Sequence, residues 1–430
     1  MSRTSAVALP RATEPEEQFR QYARQPHCVW LDIATTGQGI SILAAKPRTI
    51  FRAKGRRIEL LSAHGKEQFE ADPFAALAEQ IARHRSDSAH GAAIGYFGYD
   101  LKNCIERLPA KAADDLGLSD CWFGFYDDPQ VFEVGQGFNQ AVPSLHAPRS
   151  DAPRSALRSN FTRDSYRRTV LRAKEYIAAG DIYQVNLSQR FQCEVDAPPP
   201  ELYSALRAAN PAPYCAYLDI GEAQILSTSP ECFLKMDGRR VVTRPIKGTR
   251  PRGATAVEDE RLARELLASP KDNAELVMIT DLERNDLGKV CEFGSVRVNE
   301  LVRAETYATV HHLVSTVEGV LRPDISHVDC VRACFPGGSI TGAPKIRAME
   351  IIDELEPHAR GIYTGAIGFF EFNGMSHFNI AIRTAVYQKG RLTFHAGGGI
   401  VADSEPEAEY AETLAKAEGI IRGLEQLRLR

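Results

Sequence analysis

YQVNLSQRF (183–191) decides the fold class. Tyr183, Val185, Leu187 and Phe191 fall on one side of an extended chain, and Gln184, Asn186, Ser188 and Arg190 on the other. A period of two is the mark of a strand with one apolar face, so 183–195 is expected to be a half-buried strand. Working outward, Asp237-Gly238, Asn373-Gly374 and Lys389-Gly390 each separate two alternating apolar runs, as hairpin turns do. Further strand-like runs lie at 28–34, 40–45, 57–63, 91–100 and 121–127. Helical spacing appears at 74–81, 165–179 (stopped by Gly180), 256–268, 270–283, 343–355 and 406–427. On the 343–355 helix, Ile346, Met349, Ile352 and Leu355 share one side. Antiparallel meanders mixed with blocks of helix predict an α+β fold and not a parallel βαβ sheet.

The chain has 430 residues, which at roughly 150 residues per domain suggests two or three domains. From 135 to 160 it turns polar, with Pro143, Pro148 and Pro153, and this is the best linker. We therefore expect an N-terminal region, 1–155, and a second region, 156–430, interwoven in one compact unit. Apolar residues are 43% of the chain, enough for a large core without disulfide or metal support. With 52 Lys and Arg against 56 Asp and Glu, the net charge of −4 argues against a nucleic-acid binder driven by bulk basicity. The nine cysteines include no CxxC pair, which fits free thiols in a reducing cytoplasm. No secretory signal and no membrane span are expected.

Several residues could carry chemistry. Asp272 and Glu275 share a helix face, as do Glu409 and Glu412. Two such pairs could hold a hard cation such as Mg²⁺, which takes one or two protein carboxylates; a solvated helix face is the alternative. FPGGSITGAPK (335–345) is a glycine-rich loop entering a helix, suited to an anion, but without Walker spacing. Gly397, Gly398 and Gly399 end a strand-like run and permit close backbone approach; for both glycine stretches a tight turn is the alternative. Arg383, placed on the strand NIAIRTAV opposite Ile380 and Ile382, needs an anionic partner, either a ligand carboxylate or an internal acid. His312 shares a face with Val310 and Val314 and could equally be a core histidine. Lys247, flanked in sequence by Arg244, Arg250 and Arg252, has the setting for a depressed pKa and a nucleophilic amine; a surface lysine is the alternative.

In combination these motifs are specific. DIYQVNLSQRF (181–191), STSPECFLK (227–235), RPIKGTRPRG (244–253), AELVMITDLERNDLGKV (274–290), HHLVSTVEG (311–319), PGGSITGAPKIRAMEII (336–352), RGIYTGAIGFF (360–370), NIAIRTA (379–385) and HAGGGIVADSEPEAEYAETLAKA (395–417) stand in the order seen in chorismate-utilising enzymes. The chain resembles the anthranilate synthase / aminodeoxychorismate synthase component I family. The resemblance implies a sandwich of two large antiparallel sheets with helices outside, and a Mg²⁺-dependent site for chorismate. It implies that Glu275 and Glu412 associate with the metal, with Asp272 and Glu409 as helix partners. It implies that Arg383, Tyr363 and Gly397–Gly399 bind substrate carboxylates, that His312 and Ser339 lie near the ring, and that Glu231 is the general acid for the C4 hydroxyl. Thr249, Lys345 and Gln184 join the substrate-binding set.

Two positions bear on the branch. In water-using relatives a lysine base stands where Gln184 stands here; glutamine takes up no proton at neutral pH, so ammonia is the better nucleophile. Anthranilate synthases resemble PIAGT where this chain reads PIKGT (245–249), as aminodeoxychorismate synthases do. The expected activity is therefore formation of 4-amino-4-deoxychorismate, for p-aminobenzoate and folate, with Lys247 as nucleophile; the alternatives are the anthranilate synthase component I activity and a non-catalytic chorismate-binding paralogue. No glutaminase module is visible, so ammonia is expected from a separate glutamine amidotransferase subunit. A serine that binds tryptophan in many relatives is replaced here by Ile33, and tryptophan binding is not expected.

Overall fold

The strand around YQVNLSQRF runs from Gln184 to Glu194. It pairs antiparallel with Arg391–Ile400 from Val185↔Ile400 to Glu194↔Arg391, and with the short strands Gly342–Ala343 and Arg158–Ser159. The computed structural model describes residues 15–35, 38–85, 90–134, 157–307 and 310–428. Most of the expected linker, 135–156, lies outside them. The strand is not half-buried: its polar side is buried too. Ser188 and Arg190 on that side have internal partners in place of water. The amide and hydroxyl of Ser188 donate to Glu356 at 2.8 and 3.0 Å, and Arg190 forks onto Asp115 at 2.6 and 2.8 Å.

Among the described residues, ten strands form one sheet and twelve the other. Both are antiparallel, so the fold is α+β. Their facing sides share one core, with Val29, Leu31 and Ile225 from the first sheet against Ile94, Tyr96 and Trp122 from the second. Helices cover the outer sides. Pro73–His84 and His327–Cys334 pack on the twelve-stranded sheet, while Pro199–Ala209 and Pro406–Arg428 pack on the other. Each sheet draws strands from both sides of residue 155. Val29–Thr35 pairs with Tyr214–Asp219, and Ala92–Phe97 with Ala366–Glu371. All three expected hairpins form, and Lys389 and Gly390 both take positive φ (52° and 79°), the two-residue turn that matches strand twist. The Lys345–Leu355 helix buries Met349 and Ile352, but Ile346 stays 48% exposed, so the apolar side begins one turn later than its spacing predicts.

Two crossings between the sheets position the site. Gln224–Ser229 belongs to the first sheet and Cys232–Asp237 to the second; Glu231 lies between them. Met375–Ile380 belongs to the second and Thr384–Gln388 to the first; Arg383 lies between them. NIAIRTAV is therefore not one strand. It breaks where the chain changes sheet, and Arg383 takes φ 49°. The crossings are bonded together: Ile380 N–H donates to the Glu231 carbonyl (3.0 Å), Ser229 Oγ to the Ile380 carbonyl (2.6 Å) and Thr228 N–H to the Arg383 carbonyl (3.1 Å).

Gly397 lies in this central ladder opposite Ser188. A Cβ there would run into the Leu187 carbonyl oxygen and come within 2.8 Å of Ser188 Cα. Backbone cannot yield as a flexible side chain does, so Gly397→Ala is expected to cost about 2 kcal/mol or more. The denaturant midpoint measures it; an unchanged midpoint would mean the ladder tolerates a wider spacing.

Candidate active site

Lys247 lies in the strand Ile246–Pro251, whose register slips between Lys247 and Thr249 around Gly248 at φ 67°. The slip turns Lys247 inward, where its Nζ donates to the Ser339 carbonyl at 3.1 Å. Burial lowers its pKa, and Lys416 adds to this, while Glu275, Glu231 and Glu412 oppose. The direction matches the sequence expectation, but the like charge responsible is Lys416. The three arginines are neutralised elsewhere: Arg244 by Glu305, Arg250 by Asp272 and Glu265 (3.2 and 3.3 Å), and Arg252 by Asp259 (2.7 Å).

Glu231 is buried, and burial raises its pKa; the Ser339 side chain and Lys247 pull the other way. A carboxyl of raised pKa beside an amine of lowered pKa is the pairing that suits a general acid next to a nucleophile. Ser339 sits in the turn Gly338–Ile340 and touches both.

Glu275 is raised by burial and by the nearby Asp272 and Glu412. On the last helix, Glu412 also meets a burial penalty, but Lys416 at 2.7 Å outweighs it and holds the carboxyl below its usual range. Glu409 is buried, accepts from Ser404 Oγ at 2.6 Å, and is raised by burial. Gly398 faces these acids: a Cβ there would stand 3.1 Å from Glu412 and 3.4 Å from Glu409. Gly397 offers its carbonyl to Lys416 at 2.8 Å. Among the described residues no three His, Cys, Asp or Glu side chains converge as a ready-made metal cage. A crowded set of hard carboxylate oxygens beside bare backbone still fits Mg²⁺, which needs only one or two protein carboxylates.

Arg383 is largely buried, and burial lowers its pKa. Among the described residues no carboxylate pairs with it; its side-chain contact is Asn210 Oδ1 at 3.4 Å. A largely buried guanidinium without an acid is suited to act as a receptor for an anionic ligand. Replacing it with methionine removes that receptor and a desolvated charge together. Arg383→Met is expected to raise KM for an anionic substrate about 100-fold while leaving the melting temperature equal or higher. A fall in melting temperature with unchanged KM would assign Arg383 to folding. His312 lies within electrostatic reach of Arg383, and burial pushes its pKa down to about 4, so the ring is neutral. Its Nδ1 meets Thr249 Oγ1 at 2.9 Å, and its Nε2 is buried without a partner.

Gln184 is fully buried with neither amide atom bonded. Its Nε2 lies 2.5 Å from where a Gly399 Cβ would stand. Tyr363 stacks on His395 at 5.0 Å and lies beneath the Arg360 guanidinium. Lys345 is engaged elsewhere, with Asp286 and the Cys334 carbonyl (3.0 Å). Asp272 is tied to Arg250. Two participants escaped the sequence reading. Lys416 follows Glu412 by one helical turn, a spacing that signals an ion pair. Glu283 is an acid on the buried stripe of its helix.

The chain is similar to known proteins. The chain is 42% identical to anthranilate synthase component 1 of Thermus thermophilus, over 90% of this chain and 89% of that protein. It is 40% identical to aminodeoxychorismate synthase component 1 of Bacillus subtilis, over 95% and 94%. The crystal structure of anthranilate synthase component I from Streptococcus pneumoniae superposes with a TM-score of 0.77 at 33% identity, over 89% and 92%. The chorismate binding enzyme family matches residues 27–422, and the chain belongs to that family of chorismate-utilising enzymes.

Proposed function

We propose that the protein is component I of an aminodeoxychorismate synthase, converting chorismate and ammonia to 4-amino-4-deoxychorismate for p-aminobenzoate and folate. The observation that carries the reading is Lys247, a largely buried amine of lowered pKa held on the Ser339 carbonyl beside Glu231, a carboxyl of raised pKa.

The residues divide the work as follows. Arg383 holds a substrate carboxylate, with Tyr363, Thr249 and the neutral His312 along the walls. The Lys247 amine attacks C2 of the ring, the two ring double bonds shift, and the C4–oxygen bond breaks. Glu231 gives its proton to that oxygen, which leaves as water. Ammonia then attacks C4, the double bonds shift back, and the C2–nitrogen bond breaks with its electrons returning to Lys247. The proton shed by ammonia restores Glu231. Gln184, unable to take a proton, leaves water unactivated. Glu275 and Glu412 would hold Mg²⁺, with Asp272 and Glu409 beside them, and the ion would neutralise the ring carboxylate. A separate glutamine amidotransferase subunit would supply ammonia, in keeping with the component 1 names of the relatives.

A second reading, anthranilate synthase component I, is favoured by the Thermus thermophilus relative, which is as similar as the Bacillus subtilis one. The two predict different products. Purified protein with chorismate, Mg²⁺ and an ammonium salt is expected to yield 4-amino-4-deoxychorismate, which an added lyase converts to p-aminobenzoate. Anthranilate with pyruvate would establish the second reading.

A further inference from the structure

The Pro270–Gly288 helix buries Leu276, Ile279, Thr280, Glu283, Asp286 and Leu287 on one stripe. Carboxylates on a core stripe are costly unless paired. Asp286 is paired, with Lys345 and, at 2.8 Å, with Lys289. Glu283 is not: among the described residues no cation lies within ion-pair distance. Its Oε1 accepts the Gly338 amide at 3.0 Å, and its Oε2 is buried without a partner. Burial, and then Asp286, pushes this carboxyl up to about 7, with Lys345 pulling back.

Gly338 opens the turn that serves the active site. The next residue, Ser339, gives its carbonyl to Lys247 (3.1 Å) and its side chain to Glu231. A Cβ on Gly338 would stand 3.2 Å from Glu283 Oε1, so bare backbone lies against the acid. We propose that Glu283 is a positioning residue for the Lys247–Glu231 pair: by holding the Gly338 amide it fixes the turn that presents Ser339 to both. The inference rests on the catalytic reading of that pair. The charged and titratable groups facing Glu283 are Asp286 on its own helix, Lys345 after the turn, Cys334 at the end of the His327–Cys334 helix, and Glu231. Ionised Glu283 opposes proton loss from Glu231 and so keeps that acid protonated to higher pH.

Two variants of the full chain test this, with chorismate, Mg²⁺ and ammonium chloride. Glu283→Gln keeps an oxygen for the Gly338 amide and loses the charge. Its kcat is expected to stay within about threefold, with the alkaline limb of kcat/KM moved down by about half a pH unit. Glu283→Leu loses the acceptor, and kcat is expected to fall about tenfold or more at nearly constant KM. A second readout needs no turnover: modification of Lys247 by an amine-reactive reagent, followed by peptide mass mapping. Its rate is expected to change about fivefold in Glu283→Leu and little in Glu283→Gln. An unmoved alkaline limb together with unchanged labelling overturns the proposal. If Glu283→Leu does not fold, the limb of Glu283→Gln decides alone. If the unaltered protein does not turn over chorismate, the functional reading falls, and the labelling rates judge this inference by themselves.

Discussion

Lys247→Ala is expected to abolish the 4-amino product, lowering kcat/KM for its formation about 10³-fold or more. The reason is geometric as well as chemical. The amine is held by one hydrogen bond, to the Ser339 carbonyl, so little of the fold depends on it. Burial lowers its pKa, so the substitution also removes an amine that is costly to desolvate, and the melting temperature is expected to change little. In the proposed mechanism, what is lost is the group that occupies C2 while ammonia reaches C4. Without it, ammonia can meet C2 directly, and the residual activity is expected to shift toward the ortho-amino skeleton. Product chromatography with mass detection checks both points. Formation of the 4-amino product at the normal rate would remove the covalent role.

Glu231→Gln is expected to lower kcat about 10²–10⁴-fold, the usual worth of a positioned general acid. Glutamine keeps the size and an oxygen for the Ile246 amide, which Glu231 Oε1 faces at 3.4 Å, but it has no proton to give. The pH profile carries the sharper sign. The Lys247 pKa is lowered, so activity rises as pH climbs through it and the amine becomes neutral. The Glu231 pKa is raised, so activity falls as pH climbs through it and the acid is lost. The profile should be a bell, and Glu231→Gln should flatten its alkaline side. A variant that keeps the alkaline limb would assign that limb to another group.

The fold class was legible because its evidence is local. Alternation in YQVNLSQRF and glycine at the three hairpin turns need no knowledge of distant partners. Burial of the strand's polar face was not legible, since Asp115 and Glu356 lie far away in sequence and supply its partners. The same limit explains Arg383. Periodicity read NIAIRTAV as one strand, and only the paired crossings between sheets show why it breaks at an arginine of positive φ. At the site, Lys247 could be singled out from its sequence neighbours, but the neighbours invoked were the wrong ones. The arginines beside it are neutralised by acids from other segments, and the cation that acts on it arrives from the last helix. Glu283 had a usable local signal, an acid on the apolar stripe of Leu276, Ile279 and Leu287. Its meaning required the Gly338 turn, which no spacing predicts.

The most direct test of the account is the intact mass of the protein incubated with chorismate and Mg²⁺ in the absence of ammonium, followed by peptide mapping. The expected result is an adduct equal to chorismate less one water, mapped to Lys247, absent in Lys247→Ala and discharged as 4-amino-4-deoxychorismate when ammonium is added. Turnover to that product with ammonium, but no adduct on Lys247 under any quench, would contradict it.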